Sequence, residues 1–186
     1  MNYQLLVNDK HPIAKTDMEK ITLIPVIERN QIFYLEKKVA KQYLKLKRKV
    51  LRKTGVIIAL DSAYRSIEEQ QCLMEDMIQE YGVDYASNYV AKPYTSEHHT
   101  GMAIDLTIYY QGKYLTNNFE LEKAYEEFCK IYPFLGYYGF VLRYPKGKES
   151  ITNIPFEMWH IRYVGVKVEK KLKKKKHVLE QYKRKL

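Results

Sequence analysis

The chain has 186 residues, 46% of them hydrophobic, with no polar low-complexity tract and no internal repeat, which fits one folded domain and excludes a disordered or repeat protein. Its net charge of +10 is uneven, because residues 167–186 hold ten Lys/Arg and two Glu while the other 166 residues share only +2. No segment is apolar for the length a bilayer demands, and Met1 to Asn8 lacks a charged stretch feeding an apolar run. The expected location is therefore the cytoplasm, or the outer side of a membrane if an anchor precedes this chain. Cys72 and Cys129, distant and without a Cys-x-x-Cys neighbour, are expected to be free, buried thiols rather than a disulfide or redox pair.

In chain order, Ile21 to Ile27 is apolar and β-branched and reads as a strand. Glu36 to Lys53 reads as a helix, with Val39, Tyr43, Leu46 and Val50 on one stripe, Ala40, Leu44 and Leu51 beside it, and Gly55 as the stop. Val56 to Leu60 is a short buried strand running into Ser62-Ala63-Tyr64-Arg65-Ser66. Ser66 with Glu69 forms a capping box opening a helix to Tyr81, which Gly82 ends, so Arg65 projects from a strand-to-helix junction. Asp84 to Val90 is a further helical turn, and Met102 to Ile108 a strand carrying Asp105. Gln111-Gly112 is a hairpin turn, with Lys113 to Leu115 returning. Asn118 caps a helix to about Ile131, with Leu121, Ala124, Tyr125 and Phe128 on its apolar side and Pro133 ending it. Phe140 to Tyr144 and Trp159 to Val164 are the last strands. Hairpins mixed with flanking helices give an α+β fold around a central antiparallel sheet. Lys167 to Leu186 places Val168, Leu172, Leu179, Tyr182 and Leu186 at helical spacing, an amphipathic helix docked by its apolar stripe with its lysines in solvent. Contact of those lysines with an anionic surface is the alternative, and nucleic-acid binding is not expected.

Two fragments carry the chemistry: Ser96-Glu97-His98-His99-Thr100-Gly101-Met102-Ala103-Ile104-Asp105 and Glu157-Met158-Trp159-His160. Catalytic zinc takes three protein ligands and leaves a place for water, with a carboxylate outside the ligand set to take the proton. His98, Asp105 and His160 are candidate ligands and Glu157 the candidate base. Each pair alone is weak, since a lone His is more often a surface or satisfied core residue. The conjunction is what points to metal, together with Gly101, which allows the positive φ needed to turn the chain after His98. Trp159 packs behind His160 or simply in the core. A Ser-x-x-Lys nucleophile motif and the His-Glu-x-x-His of zincins are both absent.

These fragments match S-x-H-x-x-G-x-A-x-D and E-x-W-H, and the chain resembles the zinc D,D-carboxypeptidases and D,D-dipeptidases of the VanX/VanY type, closest to VanY-like and bifunctional VanXY-like members. Ser62 to Ser66 answers the family's S-G-Y-R-S. Gln70, Tyr138 to Pro145, Arg162 to Gly165 and Val7 to Pro12 extend the likeness to about residues 4–166. The resemblance implies a hedgehog-like zinc-peptidase domain over 1–166, with 167–186 as a basic helix packed on it. It implies one zinc per chain on His98, Asp105 and His160, and Glu157 as base and then acid. Arg65 would stabilise the oxyanion, while Ser96, Gln70, Tyr64 and Ser62 would contact substrate. The implied substrates are D-Ala-D-Ala dipeptide or D-Ala-terminated muropeptide precursors, and loss of those termini suggests a part in glycopeptide-antibiotic resistance. An L,D-carboxypeptidase, a peptidoglycan endopeptidase and a non-catalytic zinc-bearing binding module are the alternatives. Ala63 stands where Gly is usual, Tyr94 where Gly is common, His99 for Gln, Met158 for Pro and Ile161 for an aromatic residue. Ala63 and Tyr94 add bulk near the cleft, which bears on substrate preference.

Overall fold

The structure is a computed structural model and describes residues 1–115, 120, 122 and 124–182. After a helical turn, α1 (Lys15–Met18), the chain forms a hairpin of β1 (Leu23–Glu28) and β2 (Gln31–Glu36). Arg29 and Asn30 join them, both at positive φ (53° and 59°), as a two-residue primed turn requires. Only β1 is legible in the sequence, because Arg-Asn lacks the glycine that signals such hairpins. The Glu36 carboxylate then accepts the N–H groups of Lys38 (2.8 Å) and Val39 (3.1 Å), capping α2 (Lys37–Thr54). Gly55, at φ 77°, ends it.

α2 buries Val39, Ala40, Tyr43, Leu46 and Val50. Leu44 and Leu51, expected on an adjoining core stripe, are 43% and 49% exposed instead, because the core covers a narrower arc of the helix than the periodicity suggests. Buried Glu28 ties hairpin, helix and sheet together, accepting from the Tyr43 hydroxyl (2.9 Å), the Lys47 ammonium (2.6 Å) and the Leu60 N–H (2.9 Å). Tyr43 is accordingly hard to ionise, raised well above 10 by burial and then by the Glu28 charge.

The main sheet is antiparallel, in the order β3 (Ile57–Ser62), β4 (Ala103–Tyr110), β7 (Glu157–Tyr163), β6 (Phe140–Tyr144), with β5 (Lys113–Tyr114) also paired to β4. Side chains alternate across it. Ile58, Leu60, Ile104, Leu106 and Ile108 join the core with α2 and α5 (Tyr125–Leu135), so both helices cover that face. Asp105, on the same strand at odd register, points to the other face. The site is built there.

Between the sheet strands run α3 (Ile67–Tyr81), α4 (Val83–Tyr89) and a 3-10 turn, Glu97–Thr100; α6 (Glu149–Thr152) follows β6. The Ser66–Glu69 capping box opens α3, with both reciprocal hydrogen bonds made (2.7 and 3.1 Å). Pro133, expected to end the preceding helix, lies inside α5. It falls in the last turn, where its missing N–H costs one bond to a carbonyl that solvent can serve. Asn118 and Leu121 lie outside the described residues, as does Leu186. Cys72 and Cys129 are free but exposed, not buried, because each sits on the outer face of its helix.

The single helix expected over 167–186 is instead α7 (Val166–Lys175) followed by a reversal. Lys176 takes φ 52°, its N–H and that of His177 close back on the carbonyls at the helix end, and a 3-10 turn, Leu179–Gln181, follows. Val168, Leu172 and Leu179 bury with Val164 in a second small cluster against Leu6, Val141 and Tyr182. No helix among the described residues is long and apolar enough to cross a membrane.

Candidate metal centre

Strands β4 and β7 pair so that Asp105 lies directly opposite His160. His160 Nδ1 is 3.0 Å from Asp105 Oδ1, and His98 Nε2, from the 3-10 turn, is 3.2 Å from Asp105 Oδ2. One donor atom from each of the three residues falls within 4.8 Å of the others. The turn bearing His98 is fixed locally. Ser96 Oγ accepts the His98 N–H (3.3 Å), and Gly101 at φ 63° reverses the chain where a Cβ would stand 2.9 Å from Leu23 and 3.0 Å from the Glu36 nitrogen. The His98 Nδ1–H donates to the Ala63 carbonyl (2.5 Å), leaving the Nε2 lone pair for the cluster.

Burial alone would raise the Asp105 carboxyl, yet the imidazoles of His98 and His160 outweigh it and hold Asp105 well below its ordinary range. Burial works against the His160 imidazolium, but Asp105 and Glu97 push the imidazole up to about 10. A proton thus supplies the positive charge that a metal cation would supply in its place. Asp105 Oδ1 is also buried without a hydrogen bond, lying close to His160 Nδ1 but off the bonding direction. Two imidazoles and one carboxylate converging on that space fit zinc.

Glu157 begins β7, with Oε2 3.5 Å from His160 Nδ1. Burial first, then the Asp105 and Glu97 charges, overcome the pull of His160 and push its carboxyl up to about 7. Arg65 leaves the β3–α3 junction half-buried; its Nη1 donates to Gln70 Oε1 (3.0 Å) and its Nη2 to Ser62 Oγ (2.9 Å). Burial lowers the guanidinium's pKa, opposed by the charges of Asp105 and Glu69. The Arg65 N–H donates to the His98 carbonyl (3.3 Å), joining the two turns.

Of the four residues expected to contact substrate, Gln70 is 1% exposed and its Nε2 donates to the Ala91 carbonyl (2.7 Å), so both ends of its amide are engaged inside the protein. In this structure its Oε1 grips Arg65. Ser62 likewise holds Arg65, and Ser96 caps the His98 turn. The Tyr64 phenol is raised by burial and by Glu69 and Glu68 of α3, and its N–H donates to the Tyr34 carbonyl (2.9 Å).

Behind His160 lies a layer of buried charge that no sequence motif marks. Glu97 Oε2 faces His160 Nε2 at 3.7 Å, while its Oε1 accepts from Arg143 Nε (2.8 Å) and lies 3.4 Å from Arg162. Burial opposes ionisation of Glu97, but the two guanidiniums hold its carboxyl well below the usual range. The remaining Arg143 nitrogens bind both oxygens of Glu180 (2.9 and 2.7 Å). Tyr144 lies against the His160 ring, centroids 4.9 Å apart. His99 is a clamp. Its Nδ1–H donates to the Arg65 carbonyl (2.7 Å) and its Nε2 accepts from Tyr94, whose φ of 70° explains why glycine suits that position. The only available signal was position: Glu97 and His99 flank His98, and Arg143 lies in a stretch that shares the family likeness.

A His, His, Asp cluster on an antiparallel sheet, with a high-pKa carboxylate beside it and a gripped guanidinium nearby, offers the donor set that a hydrolytic metal centre uses. The sequence profile of the family VanY, D-alanyl-D-alanine carboxypeptidase, matches residues 32–166. A bifunctional D-Ala-D-Ala dipeptidase and carboxypeptidase, VanXYC of Enterococcus gallinarum, is 35% identical over 98% of this chain and 94% of its own. Among solved structures, the D,D-dipeptidase VanXYg with a D-Ala-D-Ala phosphinate analogue superposes with TM-score 0.79 at 29% identity, covering 97% of this chain and 70% of that one. A variant of the D,D-pentapeptidase VanY from a VanB-type resistance cassette, in complex with Zn(II), gives 0.73 at 29% identity over 98% and 99%. The chain belongs to the VanY family of D-alanyl-D-alanine carboxypeptidases.

Proposed function

We propose that this protein is a zinc-dependent D,D-carboxypeptidase that removes the terminal D-alanine from D-Ala-D-Ala ends of peptidoglycan precursors, and also splits the free dipeptide. The observation that carries this reading is the convergence of His98, Asp105 and His160 beside a carboxyl poised near neutrality. His98 through Nε2, His160 through Nδ1 and Asp105 would hold one zinc per chain. Zinc held there supplies Lewis-acid polarisation and lowers the pKa of water.

Glu157 takes the proton of the attacking water and returns it to the departing D-alanine amine. Burial raises its pKa toward the working pH, where one group serves both as acceptor and as donor. Arg65, pre-oriented by Gln70 and Ser62, offers a permanent cation to the developing oxyanion. Glu97 and the Ala63 carbonyl fix the two imidazoles in the orientation that leaves their ligand nitrogens free. A cytoplasmic location and a contribution to glycopeptide resistance belong to the same reading.

The test is D-alanine release from D-Ala-D-Ala and from a pentapeptide ending in it, with chelator, penicillin and Glu157→Ala in parallel. The expected result is release abolished by chelator and by the substitution but untouched by penicillin. Release from an L,D-linked tetrapeptide alone would overturn the stereochemical assignment. Chelator-resistant release would overturn the metal.

A further inference from the structure

The positive charge is concentrated in two helices. Residues 37–54 contain nine Lys/Arg and no acid, and residues 166–176 seven Lys and one Glu. Against the chain's +10 these segments carry +9 and +6, leaving −5 for everything else. Both helices touch the same 3-10 turn, Gly136–Tyr138, α7 from the sheet face that carries Arg143 and α2 from the opposite one, so the α2 face is a surface of its own. The N-terminal segment bridges them: the Lys38 ammonium sits 5.0 Å over the Tyr3 ring, and Leu6 packs on the cluster under α7.

The outer face of α2 is not uniformly polar. Lys41, Lys45, Arg48 and Arg52 are exposed, and among the described residues none of them has an ion-pair partner. Along one edge of this basic stripe run Leu44 and Leu51, two helical turns apart and 43% and 49% exposed, and Tyr137, on the 3-10 turn that touches α2, is 74% exposed. A groove of about 520 Å³ runs along part of this face, lined by Tyr3, Glu36 and Leu44 together with basic residues that include Lys41, Lys45 and Arg48.

We infer that this face docks on a bilayer containing anionic lipid. Its lysines and arginines meet the headgroup charge, and Leu44, Leu51 and Tyr137 enter the interface. A phosphate backbone would answer the charge but give these three side chains no apolar partner. Because α2 covers the sheet face opposite Asp105, docking leaves the metal centre turned toward solvent and open to substrate. This inference stands independently of the proposed reaction.

The test is sedimentation of the full chain with vesicles of phosphatidylglycerol and phosphatidylcholine in equal parts, and with phosphatidylcholine alone. Binding is expected only to the anionic vesicles and should fall as salt rises. Lys41→Glu with Arg48→Glu should weaken it at least about 25-fold, given about fivefold for each basic residue near such a surface. Leu44→Ser with Leu51→Ser should weaken it about tenfold at constant charge. D-Ala-D-Ala hydrolysis in solution, unchanged in all variants, reports that they fold. Failure to bind anionic vesicles at low salt would overturn the inference. So would duplex DNA displacing the vesicles while the Leu44/Leu51 variant binds like the parent, which would make the face a general polyanion site.

Discussion

The metal centre has two halves held by different means. Asp105 and His160 sit on adjacent strands, directly opposite in register, and the sheet itself sets their separation. His98 and Arg65 sit on turns, and their placement depends on a few polar contacts: His98 to Ala63, His99 to Arg65, Gln70 to Arg65 and a glycine at φ 63°. The rigid half fixes where a ligand can be. The turn-borne half fixes orientation, so it should be easier to detune without destroying the fold.

Substitution at the strand-borne half should have the largest effect. His160→Ala is expected to lose zinc and turnover together, read by metal content and D-alanine release; an active, zinc-replete variant would remove His160 from the ligand set. Glu157→Ala should keep zinc but lose about 10²–10⁴ in kcat. In the parent, Glu157 accepts a proton only when ionised, so kcat/KM should be present above its pKa and fall as pH drops through it. The zinc charge should draw this limb below the value of about 7 set by burial. The limb should vanish from the residual activity of Glu157→Ala.

On the turn-borne half, Arg65→Ala should cost about 2.7–4 kcal/mol of barrier, mostly in kcat. Gln70→Ala, which leaves the cation present but loosened, should cost less, and an equal loss would mean that Gln70 touches substrate after all. Glu97→Gln should weaken zinc affinity about 10–100-fold, measured by competition with a chelating dye. Smallest for chemistry is Gly101→Ala, which strains a left-handed residue against Leu23 and the Glu36 nitrogen. Its expected cost of about 1–3 kcal/mol would lower Tm by several degrees, with kcat per folded molecule falling less than in Arg65→Ala as the His98 turn shifts.

Legibility in the sequence follows the same division. His98 with Asp105, and Glu157 with His160, are readable because each pair is local and sits in a recognisable pattern. Arg65 at a capped helix start is readable for the same reason. The register bringing Asp105 opposite His160 is not local, and neither is the contact of Glu97 with Arg143, separated by 46 residues, or of Arg143 with Glu180, separated by 37. Composition cannot announce such pairs. Gln70 was visible as a residue but not as a grip on Arg65, since one side chain supports either task. Leu44 and Leu51 mark the limit of periodicity, which finds a stripe but not how far its neighbours cover it.

The bidentate contact between Arg143 and Glu180 bears on the order in which the protein can mature. Two guanidiniums, Arg143 and Arg162, lie buried behind His160 with Glu97, and Glu180 supplies the second carboxylate that balances them. During synthesis Glu180 is the last of these groups to leave the ribosome. Until it does, the buried charges are unbalanced, at a cost of the order of 3–5 kcal/mol for a broken interior pair. The closing of the site's inner wall is therefore a late event in biogenesis, and metal capture by a nascent chain should wait for it.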